Sequence, residues 1–365
     1  MTSSPLPPTV AETLAEIPSW GADGASDHLL TGLEPGLNGF LALVRLAAAV
    51  RENQHELARS RPLAGRVFAG MFFDPSLRTR SSMLVACAKL GAEYLDLQPD
   101  SSLWTLEFTD EVVMDGVAQE HIREAAGVLG RYAQTLGLRA FPTRGQWERE
   151  RTQPVHRAFA EHAGVPVVNL EGPMAHPCQG LADALTFQDL LGETAGRKLV
   201  FTWAPHPHQG LMAVPHSALW AGSSLGMDVV LAHPEGFDLD SEALDEGRSL
   251  ASASGGTFRI THDRDDALAG ADLVYASSWG AISGPEASRS GHADAVKSLR
   301  DWKVDTADLS RGKEAFFLHC LPVRRNVVVS DAVLDGPQSG VLDQAENRVW
   351  AQTALLLHLM GGVAP

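Results

Sequence analysis

The chain has 365 residues and a formal net charge of −16 at pH 7, from 29 Lys+Arg against 45 Asp+Glu. That acidity argues against a nucleic-acid backbone or an anionic membrane as main partner, since both reward clustered cations. Hydrophobic residues make up 44% and charged residues 20%, a globular balance that argues against wholesale disorder, and the length predicts about two domains.

Residues 1–27 are rich in Pro, Ser, Ala and Gly, and read as a flexible or loosely docked extension. The first basic residue is Arg45, so a cationic targeting start is not expected, and no apolar stretch approaches 18 residues. From about Leu37 short apolar runs alternate with longer amphipathic ones. The predicted strands of a first set are Arg66–Phe73, Glu93–Leu97, Leu136–Phe141 and Val165–Leu170. A second set comprises Lys198–Trp203, Asp228–Ala232, Thr257–Thr261, Asp272–Ala276 and Ala315–His319. Helical patterns fall at Leu77–Leu90, His121–Leu136, Pro177–Leu191, Leu211–Leu225 and Asp343–Leu359. This alternation predicts an α/β fold of two domains, each a central parallel sheet flanked by helices, joined by long helices. The expected divisions are 28–172, 173–342, and a C-terminal helix in 343–365 that packs back on the first domain. In such sheets ligands bind beyond the carboxyl ends of the strands. Cys87, Cys178 and Cys320 are far apart and form no CxxC pair, so neither a disulfide framework nor a zinc knuckle is indicated and a cytoplasmic protein is expected.

The most informative segment is Phe72-Phe73-Asp74-Pro75-Ser76-Leu77-Arg78-Thr79-Arg80-Ser81-Ser82. An apolar strand runs into Asp-Pro-Ser, which ends it and offers a helix cap. Arg78 and Arg80 then stand in the first turn, where cations oppose the helix dipole. An anion at the helix start reverses that sign: backbone N–H groups, the Ser76 and Thr79 hydroxyls and two guanidinium groups can converge on one phosphate.

This segment resembles the Ser-x-Arg-Thr-Arg signature of the aspartate and ornithine carbamoyltransferase family. The resemblance continues at His176-Pro177-Cys178-Gln179 and at His319-Cys320-Leu321-Pro322-Val323-Arg324-Arg325-Asn326, in family order and each just after a predicted strand. It spans roughly Leu37 to Leu359. It implies that an amine attacks carbamoyl phosphate and phosphate leaves, with carbamoyl phosphate held by residues 28–172 and the amine by residues 173–342. By resemblance Ser76, Leu77, Arg78, Thr79 and Arg80 surround the phosphate, and Arg139 bridges phosphate and carbonyl oxygen. His176 donates to that oxygen, as Thr79 also can; Arg139, His176 and Thr79 are thus the catalytic set. Gln179 and the main-chain oxygens of Cys320 and Leu321 meet the carbamoyl amino group, and Arg324 closes over the substrate. Donors fixed at a developing oxyanion are usually the largest catalytic term, about 3–4 kcal/mol each. No metal or organic cofactor is implied.

The form His-Cys-Leu-Pro leans towards ornithine-type enzymes. Their Asp-x-Trp-x-Ser-Met-Gly loop, which meets a charged α-ammonium, is here Ser277-Ser278-Trp279-Gly280-Ala281-Ile282, with serine in place of the acid. A neutral site suits an acylated α-nitrogen, and the segments Leu103–Phe108, Val113–Gly116 and Glu120–Ile122 resemble the N-acylornithine branch. Trp104 matches a tryptophan that, in these homotrimers, reaches a neighbouring subunit's site. Where acetyl-specific relatives read Asp-Gly-x-x-Glu-Glu-His, the first glutamate is Gln119 here; an amide removes a repulsion and favours an anionic succinyl group. Glu171, His206, Ser277 and Leu321 complete the expected acyl-ornithine contacts. Relatives carry lysine at Ser277, so either another cation meets the substrate carboxylate, for which Arg289 and His206 are the candidates, or affinity falls.

The expected protein is therefore a homotrimeric carbamoyltransferase of arginine biosynthesis with sites at subunit interfaces, taking carbamoyl phosphate and N-succinylornithine in preference to N-acetylornithine, with neither nucleic acid nor membrane as partner. The alternatives left open are an ornithine carbamoyltransferase and a non-catalytic carbamoyl phosphate-binding relative. Gly222-Ser223-Ser224-Leu225-Gly226 matches a nucleophile-elbow pattern, but a helical run precedes it and a strand follows, the reverse of what that motif needs.

Overall fold

The computed structural model describes residues 6–21, 27–98, 105–143, 145–284 and 287–361. Its residues group into two units, 1–178 with 348–365, and 179–347.

In the first unit the apolar runs become β1 (Val67–Phe72), β2 (Glu93–Leu97), β5 (Thr135–Arg139) and β6 (Val167–Glu171), with β3 (Leu106–Glu107) and β4 (Glu120–His121) forming a separate short ribbon. The sheet order is β2-β1-β5-β6, all parallel, with Phe68 opposite both Tyr94 and Thr135 and Leu136 opposite Val167. β1 and β5 are buried on both faces, as parallel strands under helices must be. The helix Arg78–Leu90 buries Thr79, Ser82, Met83, Ala86, Cys87 and Leu90, the stripe of a 3.6-residue repeat. It ends at Gly91, which takes φ 77°; a Cβ there would lie 2.7 Å from that of Arg61. Leu29 adds a bridge to β6, donating to Val167 and accepting from Asn169.

The N-terminal segment departs from the expected loose extension. Pro8–Ala15 is a helix whose Val10 is fully buried, Ile17 is buried after it, and Trp20 Nε1 donates to the His28 carbonyl at 2.7 Å. The Trp20 ring stacks on His358 with centroids 4.7 Å apart. Its few apolar residues are too widely spaced to show a period, yet each anchors the segment.

The second unit carries β7 (Lys198–Trp203), β8 (Asp228–Ala232), β9 (Thr257–Thr261), β10 (Leu273–Ser277) and β11 (Phe316–Leu318) in the parallel order β11-β10-β7-β8-β9. Val200, Val230, Val274 and Phe317 anchor one core layer. The serine pattern at 222–226 lies at the end of the helix Ala213–Ser224 and runs into β8. Among the described residues no helix is long and apolar enough to cross a membrane.

Candidate active site

In the first unit the carboxyl ends of the adjacent strands β1, β5 and β6 bring together residues that are far apart in sequence. After β1, Asp74 accepts from the Phe141 N–H at 2.8 Å, and the Pro75 carbonyl accepts from Arg139 Nε at 3.2 Å. These bonds hold the Asp-Pro-Ser turn against the end of β5. Ser76 Oγ accepts from the Thr79 N–H at 3.2 Å, so the serine satisfies one otherwise orphaned donor of the helix start. Leu77 is the helix N-cap residue and its side chain is exposed.

Arg139 is buried at the end of β5, its guanidinium 4.4 Å from the centre of the Phe141 ring and paired with Glu171. Glu171 takes φ 148°, where the β5–β6 register shifts. That backbone is costly for a side-chain-bearing residue and marks a position fixed by its surroundings. Glu171 Oε2 lies 3.8 Å from His176 Nε2. His176, only 1% exposed, accepts from Arg348 Nη1 at 3.0 Å through the same Nε2. Arg348 Nη2 donates to Thr79 Oγ1 at 2.7 Å. The contacts form two chains, Ser76–Thr79–Arg348–His176 and Glu171–Arg139–Pro75, which approach each other at Glu171 and His176 without a bond between them.

Two consequences follow for His176. Burial first, then the charges of Arg348, Arg139 and Arg78, hold its pKa well below 6.5, so the imidazole is neutral at neutral pH. With Nε2 accepting from a guanidinium, the single proton of the neutral ring sits on Nδ1. The histidine is thus a neutral N–H donor beside three cations. Arg80 sits in the same helix turn but is engaged by Asp96 of β2 and lies over Phe72 at 5.1 Å.

In the second unit His206, Ser277, Cys320, Leu321 and Arg324 lie at or after the ends of the adjacent strands β7, β10 and β11, and Gln179 lies in the helix Pro177–Leu191. After β11, the His319 N–H donates to Gln344 Oε1 at 3.0 Å, and His319 Nδ1 accepts from the Leu321 N–H at 2.9 Å. These bonds shape the turn through Cys320 and Leu321, where Leu321 takes φ 56° ahead of a cis Pro322. Gln179, 1% exposed, donates through Nε2 to Asp183 Oδ1 at 2.8 Å. Arg324 is exposed, and its Nε donates to His206 Nε2 at 3.0 Å. Burial lowers the His206 pKa and the Arg324 charge adds to this, so His206 is a neutral imidazole and not the cation expected in place of the missing lysine. Ser277 is buried at the end of β10, its carbonyl accepting from the Ala204 N–H at 2.8 Å. Arg289 opens the helix Arg289–Ser298 and is exposed.

Gln119 is exposed between β3 and β4, its N–H donating to the Thr105 carbonyl at 3.1 Å. Trp104 lies outside the described residues. Sequence reasoning passed over Arg348. It gives no clear local signal: it stands in the mixed helix Val341–Gly361 beside Asp343, Glu346 and Asn347, and only packing buries it to 3% exposure.

The matching family models fall on the same segments. Residues 28–189 match the carbamoyl-P binding domain of aspartate/ornithine carbamoyltransferase, and residues 198–359 match its Asp/Orn binding domain. The chain belongs to the aspartate/ornithine carbamoyltransferase family and is a carbamoyl-transferring enzyme. It is 40% identical over 331 residues to the N-acetylornithine carbamoyltransferase of Xanthomonas campestris pv. campestris, covering 89% of this chain and 95% of that protein. It is 35% identical over 291 residues to the N-succinylornithine carbamoyltransferase of Bacteroides fragilis, covering 80% of this chain and 86% of that protein. A crystal structure of a glutamate-to-alanine variant of an N-acetyl-L-ornithine transcarbamylase, complexed with carbamyl phosphate and N-succinyl-L-norvaline, superposes with a TM-score of 0.87. That match has 38% identity and covers 91% of this chain and 99% of the other.

Proposed function

We propose that this enzyme transfers the carbamoyl group of carbamoyl phosphate to the side-chain amine of an Nα-acylated ornithine, releasing phosphate and an N-acylcitrulline for arginine biosynthesis. One observation carries the proposal: the buried His176 meets Arg348 Nη1 at 3.0 Å through Nε2, which leaves Nδ1 as the ring's donor among the charges of Arg348, Arg139 and Arg78. A neutral donor stabilises an oxyanion without forming an ion pair with the leaving phosphate, and the surrounding arginines supply that charge.

In the proposed reaction Ser76, Leu77, Arg78, Thr79 and Arg80 bind the phosphate, and Arg139, His176 and Thr79 stabilise the tetrahedral oxyanion. Gln179 and the carbonyls of Cys320 and Leu321 accept from the carbamoyl N–H groups, and Arg324 covers them. The unprotonated amine forms the new C–N bond, the C–O bond to phosphate breaks, and the departing phosphate takes the amine's surplus proton. Activity then rises on the alkaline side as the amine loses its ammonium proton. The acyl-ornithine is met by Gln119, Glu171, His206, Ser277 and Leu321. The buried, uncharged Ser277 supports an acylated α-nitrogen over a free ammonium.

For the acyl group, the uncharged Gln119 favours succinyl. The similar N-acetyl-L-ornithine transcarbamylase with a glutamate replaced by alanine was crystallised with N-succinyl-L-norvaline, which is in keeping with this reading. A second reading, acetyl, is favoured by the higher identity to the N-acetylornithine enzyme. A homotrimer is part of the proposal. Among the described residues, the exposed large apolar side chains of the first unit all lie between Leu77 and Tyr132, with Val113 78% and Val117 82% exposed, a concentration suited to a subunit interface.

The test is a colorimetric ureido-product assay with carbamoyl phosphate and N-succinylornithine, N-acetylornithine, ornithine or aspartate. Product from an acylated ornithine is expected. Absence of product with all four overturns the transferase proposal, and preference for the acetyl compound overturns the role given to Gln119.

A further inference from the structure

Asp183 lies one helical turn after Gln179 in the helix Pro177–Leu191, and none of its surface reaches solvent. A buried carboxylate is costly unless fully engaged. One of its oxygens, Oδ1, accepts from two side-chain amides, Gln179 Nε2 at 2.8 Å and Gln344 Nε2 at 2.6 Å. Gln344 in turn presents Oε1 to the His319 N–H at 3.0 Å, and His319 Nδ1 receives the Leu321 N–H.

The chemistry of this cluster is directional. A glutamine amide has a donor edge and an acceptor edge that shape alone cannot distinguish, whereas a carboxylate accepts only. Asp183 therefore forces the NH₂ of Gln179 towards itself and places Oε1 on the opposite edge. It does the same to Gln344, whose Oε1 is thereby fixed on the His319 N–H and sets the turn that carries the Cys320 and Leu321 carbonyls.

We propose that Asp183 is the positioning residue for the carbamoyl amino group: one buried carboxylate orients Gln179 directly and the Cys320–Leu321 turn through Gln344, so that all three oxygens present as acceptors. This role rests on the carbamoyl-transfer proposal above. It predicts that Asp183 governs how the carbamoyl end is held and leaves the phosphate end, built from the first unit, untouched.

The experiment compares the parent enzyme with Asp183→Asn, measuring kcat and KM for carbamoyl phosphate and the inhibition constant of inorganic phosphate. Asparagine keeps the shape but can donate or accept, so it no longer dictates the Gln179 orientation. We expect kcat/KM for carbamoyl phosphate to fall about 30- to 300-fold, the scale of lost, mispaired buried hydrogen bonds, with phosphate inhibition within about twofold of the parent. Adding Gln179→Glu should recover at least tenfold, because the introduced amide can donate to one oxygen of the introduced carboxylate and leave the other as the outward acceptor. Gln344→Leu, which cuts only the arm to His319, should show the same split and covers the case in which Asp183→Asn does not fold. Parental kcat/KM in folded Asp183→Asn or Gln344→Leu overturns the inference, as does an equal loss of phosphate binding or no recovery in the double variant. A parent that forms no ureido product overturns the carbamoyl-transfer proposal instead.

Discussion

Arg348→Met is the sharpest test of the first unit's chemistry. Methionine spans a similar length with no donor, so the substitution removes the bonds to His176 Nε2 (3.0 Å) and Thr79 Oγ1 (2.7 Å) with little change of volume. Hydrogen bonds from a charged donor are worth about 1.5–3 kcal/mol each. Two of them lost in the transition state amount to about 3–6 kcal/mol, or roughly 10²- to 10⁴-fold in kcat/KM. The substitution also frees Nε2 to carry the ring proton, so the Nδ1–H donor is no longer assured. The pH profile should move as well. Arg348 is the largest influence after burial that lowers the His176 pKa; without it that pKa rises, and the acid limb of kcat/KM shifts to higher pH. Because burying a guanidinium is itself costly, the melting temperature should fall by no more than a few degrees. Arg348→Lys keeps charge but loses the fork that reaches both partners, and should recover only part of the rate. The assay is ureido-product formation against carbamoyl phosphate concentration at several pH values. A folded Arg348→Met enzyme with kcat/KM within about threefold of the parent, and an unmoved acid limb, would falsify this account of His176.

Three further outcomes are expected. Arg78→Ala removes a cation from the helix start, so carbamoyl phosphate KM and the inorganic phosphate inhibition constant should both rise, by about tenfold or more; unchanged values in direct titration would remove Arg78 from the phosphate site. Gln119→Glu restores a carboxylate and should cut kcat/KM for N-succinylornithine several-fold more than for N-acetylornithine; equal effects on the two acceptors contradict the assignment. His156, fully buried with Nε2 3.2 Å from the Leu138 carbonyl, has its pKa lowered by burial from 6.5 to about 4. Its contribution is complete above pH 6.5 and is lost as pH falls through 6.5 towards 4, because the unfolded chain takes up the proton first. The full span is about 3 kcal/mol. Denaturant unfolding at about pH 7.5 and about pH 5 should therefore show an acid loss smaller by about 2 kcal/mol in His156→Gln than in the parent; identical losses would assign the acid sensitivity elsewhere.

The net charge of −16 and the binding of an anion coexist because charge acts locally. Arg139 is balanced by Glu171 and Arg80 by Asp96, each within contact distance. Arg78, Arg139 and Arg348 nevertheless all act on His176, whose burial removes the water that would screen them.

Whatever depends on neighbours within a turn or two is written into the order of the residues. Alternating apolar runs dictate parallel strands buried on both faces, and β7, β8 and β9 begin and end where their patterns do. Strand, breaker and helix start lie side by side in Phe72–Ser82, so the turn from β1 into the helix Arg78–Leu90 was legible there, as was Gln179 at the opening of its helix. The helix Pro8–Ala15 was not, because one buried valine and a later tryptophan make no period. The partnerships that give these residues chemistry come from packing instead. Arg348 reaches Thr79 across 269 positions and His176 across 172, and Gln344 reaches Asp183 across 161. No local propensity encodes such separations; they exist because parallel strands place their carboxyl ends together and long helices return the chain to them. Linear motifs identify which groups are present, while the packing of those helices fixes which nitrogen of His176 carries the proton and which edge of Gln179 faces outward.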